Sequence, residues 1–315
     1  MFVAPELLTV QPEPIRFFNR YTGEIETEEV YGEPFMRWTY GTRMGKLALH
    51  GLAKRALFSQ WYGWRMNRAI SSKRVAPFIK KYGLNASEFL ENPEVFKSFN
   101  EFFFRRLKPE ARPIDRDPAS AVFPADGRHL GFADVSKIEG IFVKGQRLDL
   151  KKLIQDHRLA EKFSRGSMVL SRLCPVDYHR FHFPVGGIPE KPHFIEGPLF
   201  SVNPIALRQN IRFLFENRRA RSLIETPEHG SVLMFEIGAT NVGSIEYTFV
   251  PGERVQKGAE KGYFKFGGSS MITLFEPGRV MLAEDLLQQT RQQIELYARI
   301  GDRLGTLLSR SPANG

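Results

Sequence analysis

The sequence predicts an α+β fold, in which N-terminal basic amphipathic helices precede a mostly antiparallel β sandwich or barrel-like domain. Short runs of β-branched and aromatic residues, separated by Gly and Pro, fill the chain after residue 107, as in antiparallel sheets. An earlier stretch has apolar residues at spacings of three and four, which is typical of a helix. The 27 Phe, 9 Tyr and 3 Trp residues among 315 require burial, and this excludes a fully disordered chain.

The chain divides into three regions. Residues 1–33 are rich in Pro and acidic residues and predict an irregular arm with one hairpin around Thr22-Gly23. Residues 34–91 form a basic segment, in which positions 34–87 hold eleven Lys or Arg and no Asp or Glu. Residues 92–315 form the third and largest region.

The basic segment carries an apolar helical stripe. Its members are Leu49, Leu52, Ala53, Ala56, Leu57, Trp61 and Trp64. The cations Lys54, Arg55, Arg65 and Arg68 lie largely off that face. A basic helix with Trp on its apolar side suits an anionic lipid surface, and packing of the stripe on the protein's own core is the alternative. The segment has no zipper heptads, ribonucleoprotein aromatics or paired Cys and His, so nucleic acid is not expected as a partner.

Regular elements of the third region follow from its periodicity. Helices are predicted at 94–107, 203–216 and 284–308. Strands are predicted at 128–135, 140–143, 168–173, 232–237, 244–250 and 271–275.

The net charge and the cysteine content indicate which binding partners and which cellular compartment to expect. The net charge of +10 predicts a negative partner surface. Cys174 is the only cysteine, which excludes an internal disulfide, favours a reducing compartment and suggests a buried, inert thiol. No window approaches the roughly 18 to 20 apolar residues of a spanning helix, so membrane contact would be peripheral.

Three short stretches contain candidate chemical groups: 124–127 (PADG), 178–184 (YHRFHFP) and 266–270 (FGGSS). In a regular strand His179 and His182 would point to opposite faces, so they serve one site only if the run bends or begins in a turn. No other His, Cys or carboxylate lies near them at ligand spacing, and no metal site is predicted. Asp126 is either a turn cap or a carboxylate that orients a histidine, and together Asp, His and Ser could form a base-activated nucleophile.

These stretches, in this order, resemble the phosphatidylserine decarboxylase family. The resemblance covers about residues 20–285 and includes Asp-Tyr-His-Arg-x-His-x-Pro at 177–184 and Gly-Ser-Ser at 268–270. Further matching stretches are 99–107, 200–204, 238–245 and 274–279. The Gly-Gly-Ser-Ser here replaces the Leu-Gly-Ser-Thr of many relatives, but Ser270 keeps the hydroxyl of the threonine.

The resemblance implies a self-cleaving enzyme. Ser269 would attack the Gly268 carbonyl, with His182 as the base and Asp126 orienting it. Cleavage would leave a large chain, 1–268, and a small chain, 269–315, that begins with a pyruvoyl group. That covalently bound pyruvate is the electron sink for decarboxylation of phosphatidylserine to phosphatidylethanolamine and CO₂. His179 is the candidate for substrate contact or proton transfer in this second reaction.

The expected partners are phosphatidylserine, an anionic membrane surface and the two chains of one precursor, while a homodimer is left open. The expected location is peripheral, on the cytoplasmic face of the inner membrane. Three alternatives remain: a pyruvoyl decarboxylase of another amino acid or serine-headgroup lipid, a serine hydrolase with the same triad, and a non-catalytic membrane-binding β module.

Overall fold

The computed structural model describes residues 14–30, 33–42, 44–45, 63–138, 148–238, 245–266 and 269–309. The strands are β1 (Arg16–Asn19), β2 (Glu24–Thr27), β3 (Ser120–Val122), β4 (Gly127–Phe132), β5 (Ser167–Leu173), β6 (Arg180–His182), β7 (Ile188–Pro189), β8 (His193–Ile195), β9 (Arg219–Thr226), β10 (Gly230–Ile237), β11 (Ile245–Tyr247), β12 (Glu260–Phe264), β13 (Ser269–Phe275), β14 (Val280–Leu282), β15 (Glu295–Ala298) and β16 (Arg303–Leu307).

The helices are short. The α-helices are α1 (Glu33–Gly41), α2 (Val75–Tyr82), α3 (Phe99–Phe103), α4 (Leu150–Ile154), α5 (His157–Lys162), α6 (Pro204–Leu207), α7 (Arg212–Glu216) and α8 (Glu284–Arg291). Short 3-10 helices occur at Ala69–Arg74, Ala86–Glu88, Pro93–Val95, Pro109–Ala111 and Val135–Lys137.

A ten-stranded sheet dominates the fold. Its order is β2-β1-β15-β4-β5-β13-β10-β9-β7, and β8 also pairs with β9. The β1–β15 pair is parallel, and the other pairs of this sheet are antiparallel. Two three-stranded sheets, β11-β12-β6 and β14-β16-β3, complete the β part. The predicted α+β class is confirmed, and among the described residues no sheet closes into a barrel.

Strand β13 lies in the middle of the large sheet and is buried along its whole length. Its side chains alternate between two apolar cores, as the pleat of a strand requires. Met271 and Phe275 pack into the core shared with the smaller sheets, whereas Ile272 and Leu274 pack into the core beneath α4 to α7. The strand that begins at Ser269 is therefore packed on both faces.

A third core, which we call the aromatic cluster, lies beside the start of β13. Its buried members are Met66, Val75, Phe78, Phe89, Phe96, Phe99, Phe102, Phe103 and Phe266. Helix α3 supplies three of them, and its first turn is capped by Ser98, whose Oγ accepts from the Glu101 N–H at 3.1 Å. Because Phe266 belongs to the cluster, the cluster anchors the backbone that leads to Ser269.

The N-terminal arm contains more regular structure than an irregular arm would. The predicted hairpin is present as β1 and β2, with Gly23 at a φ of 72° in the turn. Because β1 also pairs with β15, the hairpin forms one end of the large sheet. Residues 1–13 and 31–32 lie outside the described residues.

The predicted helix at 284–308 is wrong after residue 291. Helix α8 ends there, Gln293 takes a positive φ of 59°, and β15 and β16 follow. Leu296 and Ala298 are buried because β15 is inserted between β1 and β4. A short apolar run does not distinguish helix from strand, and here the neighbouring strands decide.

Other predicted elements are present in shortened form. Region 203–216 is split into α6 and α7, and region 94–107 contains only a 3-10 turn and α3. The predicted strand at 140–143 lies outside the described residues, as do Lys54, Arg55 and most of the apolar stripe. Cys174 is buried, as predicted, and burial raises the pKa of its thiol.

Candidate active site

Ser269 is the first residue of β13 and is fully buried. It pairs with Leu173 of β5, so its backbone is fixed by the large sheet. Gly268, the predicted partner in chain cleavage, lies outside the described residues together with Gly267.

His179 is the histidine that contacts Ser269. Its Nδ1 lies 3.4 Å from Ser269 Oγ, and its Nε2 lies 2.9 Å from the Cys174 carbonyl oxygen. A carbonyl only accepts, so Nε2 carries the proton and Nδ1 keeps a lone pair toward the serine hydroxyl. The ring stacks on Phe103 of α3, with centroids 3.8 Å apart.

His182 lies in β6 and has a different environment. Its Nδ1 is 2.9 Å from the Gly258 carbonyl oxygen, so this nitrogen is the protonated one. Its Nε2 is buried and has no hydrogen-bond partner in the described part of the chain. Because β6 begins only at Arg180, His179 precedes the strand. The alternation rule, which would have put the two rings on opposite faces, therefore does not apply across this pair.

Asp126 is buried between β3 and β4. Its carboxylate accepts hydrogen bonds from Arg112, with Nε–Oδ2 at 2.9 Å, and from the Ile300 N–H at 2.9 Å. Within the described residues no hydrogen bond joins it to His182. Asp126, His182 and Ser269 thus do not form a hydrogen-bonded chain in this structure. The following residue must be Gly127, because a Cβ there would stand 2.5 Å from the Arg172 carbonyl oxygen.

Burial keeps both histidines neutral at pH 7. Burial and, to a smaller extent, the charge of Arg105 lower the pKa of His179 to about 3, although the hydrogen bond to the Cys174 carbonyl acts in the opposite direction. Burial also lowers the pKa of His182, but Glu260 and Asp126 act in the opposite direction. The protonated form is therefore stabilised by nearby carboxylates at His182 and opposed by a cation at His179.

Several groups around the site were not identified from the sequence. Phe103 supports the His179 ring, and Asn100 holds the chain before Ser269, because its Oδ1 accepts from the Phe266 N–H at 2.8 Å. Both lie in the 99–107 stretch, whose family match was the only signal. The carbonyls of Cys174 and Gly258 fix the tautomers, and a main-chain group has no sequence signature. Among the described residues, no group of three His, Cys, Asp or Glu is placed to hold a metal ion.

Comparison with known proteins gives one consistent result. The profile of a family described as "Phosphatidylserine decarboxylase" matches residues 99–306. The chain is 40% identical over 293 residues to the "Phosphatidylserine decarboxylase proenzyme" of Fusobacterium nucleatum, covering 93% of this chain and 98% of that protein. It is 42% identical over 300 residues to the Chlamydia muridarum protein of the same name, covering 95% of this chain and 100% of that protein. The chain belongs to the phosphatidylserine decarboxylase family.

Proposed function

We propose that the protein decarboxylates phosphatidylserine to phosphatidylethanolamine, using a pyruvoyl group made from its own Ser269. The observation that carries this proposal is the buried Ser269 hydroxyl at the start of β13, with an imidazole lone pair 3.4 Å away. A serine becomes a nucleophile when a neighbouring base can take its proton. Family membership then favours attack on the chain itself.

His182 is proposed as the base for self-cleavage, with Asp126 as the carboxylate that stabilises its charged form. The Gly258 carbonyl fixes the tautomer that leaves the buried Nε2 with an unshared lone pair. The charges of Asp126 and Glu260 favour protonation of this ring, as a general base requires. Arg112 and the Ile300 N–H hold the Asp126 carboxylate in place.

His179 is a second candidate for the same base, favoured by its contact with Ser269. Its pKa of about 3 counts against this role, because the burial and the cation that lower it also disfavour the imidazolium. We therefore assign His179 to the second reaction, in which its Nδ1 would hold the substrate or move a proton.

The residues around Ser269 fit a pyruvoyl group at that position. Such a group supplies a carbonyl that withdraws electrons as CO₂ leaves the substrate. Ser269 and His179 are both 0% exposed, and Phe103 covers one face of the imidazole. This enclosure would exclude water from the reacting atoms and strengthen the hydrogen bonds there.

Intact-mass measurement tests the cleavage. The purified protein should consist of a large chain, 1–268, and a small chain of 47 residues that starts at a blocked residue 269. Ser269→Ala should give one uncut chain, whereas Ser270→Ala should still be cut. A wild-type protein that remains one polypeptide with a free serine at 269 would contradict the proposal.

Two histidine variants separate the roles. His182→Ala should remain uncut, and His179→Ala should be cut but lose turnover. His129→Ala is the matched control, because His129 is also fully buried with a pKa of about 3, but its Nδ1 bonds Ser171 instead. A normally cut His182 variant beside an uncut His179 variant would transfer the role of base to His179.

We also propose that the basic segment places the enzyme on an anionic membrane. Trp38, Met44, Trp64 and Ile70 are exposed by 47%, 69%, 54% and 71%, and these large apolar side chains share the segment with its cations. Arg68 lies over the Trp64 ring, 4.6 Å from its centroid. In the described part of the chain, no helix is long and apolar enough to cross a membrane.

Vesicle flotation tests this surface. Neutralising Lys54, Arg55, Arg65 and Arg68 together should reduce binding to vesicles of anionic lipid at low salt, since each cation near such a surface contributes about 1 kcal/mol. A control variant removes four exposed cations outside the segment. These are Arg106, Lys137, Lys152 and Arg291. Equal binding by the two variants would contradict the assignment.

A further inference from the structure

A cavity of about 310 Å³ lies beside Asp126, next to the turn before His179. Four arginines line it: Arg105, Arg112, Arg128 and Arg299. We call it the arginine cavity. Asp126 and Tyr178 also belong to its wall, so it adjoins the candidate active site without including Ser269.

Two of the four guanidinium groups are neutralised by carboxylates. Arg112 bonds Asp126 and also Glu88, at 2.8 Å from Nη1. Arg128 bonds Asp177, at 2.6 Å from Nη1. The carboxylates that line the cavity are thus paired with these two arginines, except Glu26. Glu26 instead accepts hydrogen bonds from the side chains of Asn19 and Thr22 in the N-terminal hairpin.

Arg105 has no such partner. It is only 5% exposed, yet no carboxylate of the described residues lies within ion-pair distance, and its buried Nε makes no hydrogen bond. Its one hydrogen bond is long, 3.5 Å from Nη1 to the Phe102 carbonyl oxygen. The rings of Phe89 and Phe102 lie 4.7 and 4.9 Å from the guanidinium carbon. Aromatic rings cover the cation, and its Nε has no acceptor among the described residues.

Arg299 is a second cation on this wall, less buried than Arg105 and in polar contact with the Tyr297 side chain. Its Nε is also buried without a partner in the described residues, and its guanidinium lies over the Tyr21 ring at 4.6 Å. A buried charge is costly unless it is paired, and unused guanidinium donors fit the oxygens of a phosphate in a bidentate manner. Arg105 and Arg299 lie on the wall of one cavity, and each has an Nε without an acceptor in the described residues, so together they can supply donors to an oxyanion.

We propose that the arginine cavity binds a phosphate-type group through Arg105 and Arg299. The group is either the phosphodiester of the lipid headgroup or free inorganic phosphate, and both present the same oxygens to the two cations. The cavity has room for a headgroup but not for the acyl chains. The lipid source rests on the proposed function, because it places the phosphate of the substrate near His179.

The first test is direct binding to the processed two-chain enzyme. Titration calorimetry at low salt with glycerophosphoserine and with inorganic phosphate should give saturable binding of at least one of them. Absence of binding by both would overturn the proposal, whatever the variants do. Binding by a protein that lacks decarboxylase activity would refute the proposed function and leave the site standing.

The second test removes the cation. Arg105→Met keeps the packing between the two rings, and Arg106→Met is the matched control, because Arg106 is the next residue but lies at the surface with Glu91. Loss of one charge-assisted contact should weaken probe binding about 10- to 100-fold in the Arg105 variant and leave the control unchanged. If the processed Arg105 variant bound the probes with unchanged affinity, the proposal would be overturned. If Arg105→Met does not fold, Arg299→Met is tested in its place, and unchanged affinity in that variant would likewise overturn the proposal.

The steady-state constants distinguish the two sources. If the lipid headgroup is the ligand, Arg105→Met should raise KM for phosphatidylserine by a similar factor with a smaller change in kcat. If free phosphate is the ligand, KM should stay constant while phosphate binding is lost. Both results support an oxyanion site and assign its occupant.

Discussion

Removal of Arg172 should destabilise the protein more than removal of any surface arginine. Arg172 lies in β5, is buried, and donates from Nη2 to Glu28 at 2.6 Å and from Nε to Glu295 at 2.9 Å. It therefore joins the N-terminal hairpin to β15, which would belong to the small chain. In Arg172→Met the aliphatic stem is retained, but Glu28 loses its closest cation and keeps a 3.4 Å contact with Arg128 and its interaction with the Cys174 thiol. Breaking a buried ion pair from one side costs about 3–5 kcal/mol, and we expect a loss in that range.

Urea unfolding followed by circular dichroism measures this loss. The Ser269→Ala background should keep the protein as one chain, so that unfolding does not depend on concentration. Arg303→Met is the control, because Arg303 also bridges two carboxylates, Asp115 and Asp117, but at the surface, where ion pairs contribute little. A loss for the Arg172 variant no larger than that for the control would refute the reasoning.

Three further predictions follow from the same contacts. Burial alone would raise the pKa of Glu28, but Arg172 and Arg128 lower it to about 2. The ionised carboxylate therefore contributes stability above its ordinary pKa of 4.5, and this stability is lost as the pH falls from 4.5 toward 2. Urea midpoints measured across that pH range will detect the loss, and the pH dependence should be flatter in Arg172→Met. Phe103→Leu and Phe163→Leu each remove ring volume from a fully buried site and should lower the free energy of unfolding by about 1–3 kcal/mol. Only the Phe103 variant removes the ring stacked on His179, so only this variant should have a lower kcat, and equal kcat values would contradict the prediction. The two chains of the cleaved enzyme should co-elute in gel filtration, because β13 is hydrogen-bonded to β5 on one edge and β10 on the other, and separate elution would contradict it.

Local patterns in the sequence predicted most strands of the large sheet. The strands at 168–173, 232–237 and 271–275 were placed within a few residues, since each is a mostly apolar run near Gly or Pro and is buried on both faces. The hairpin at Thr22-Gly23 was predicted from its turn residues. The region 295–307 was mistaken for helix, because its strand character depends on β1, β4 and β3, which lie far away in the chain.

The candidate site was predicted by residue type but not by contact. The motifs singled out Ser269, His179, His182 and Asp126; in the structure His179 contacts Ser269, Asp126 is buried, and His182 is partly buried in β6. The structure also supplies pairings that spacing could not reveal, such as Asp126 with Arg112 and His179 with Ser269. Tautomers depend on carbonyls of Cys174 and Gly258, and a main-chain oxygen is the same in every sequence.

The sequence by itself determined the α+β class, the family and the residue types proposed to carry the chemistry, because these depend on short patterns and on the order of motifs. The tertiary structure alone decided which imidazole meets the Ser269 hydroxyl and which guanidinium groups lack a carboxylate. Contacts of this kind join residues such as His179 and Ser269, 90 positions apart. They form only when the sheets and the aromatic cluster pack, since burial and neighbouring charge are properties of the packed chain and not of any segment in it.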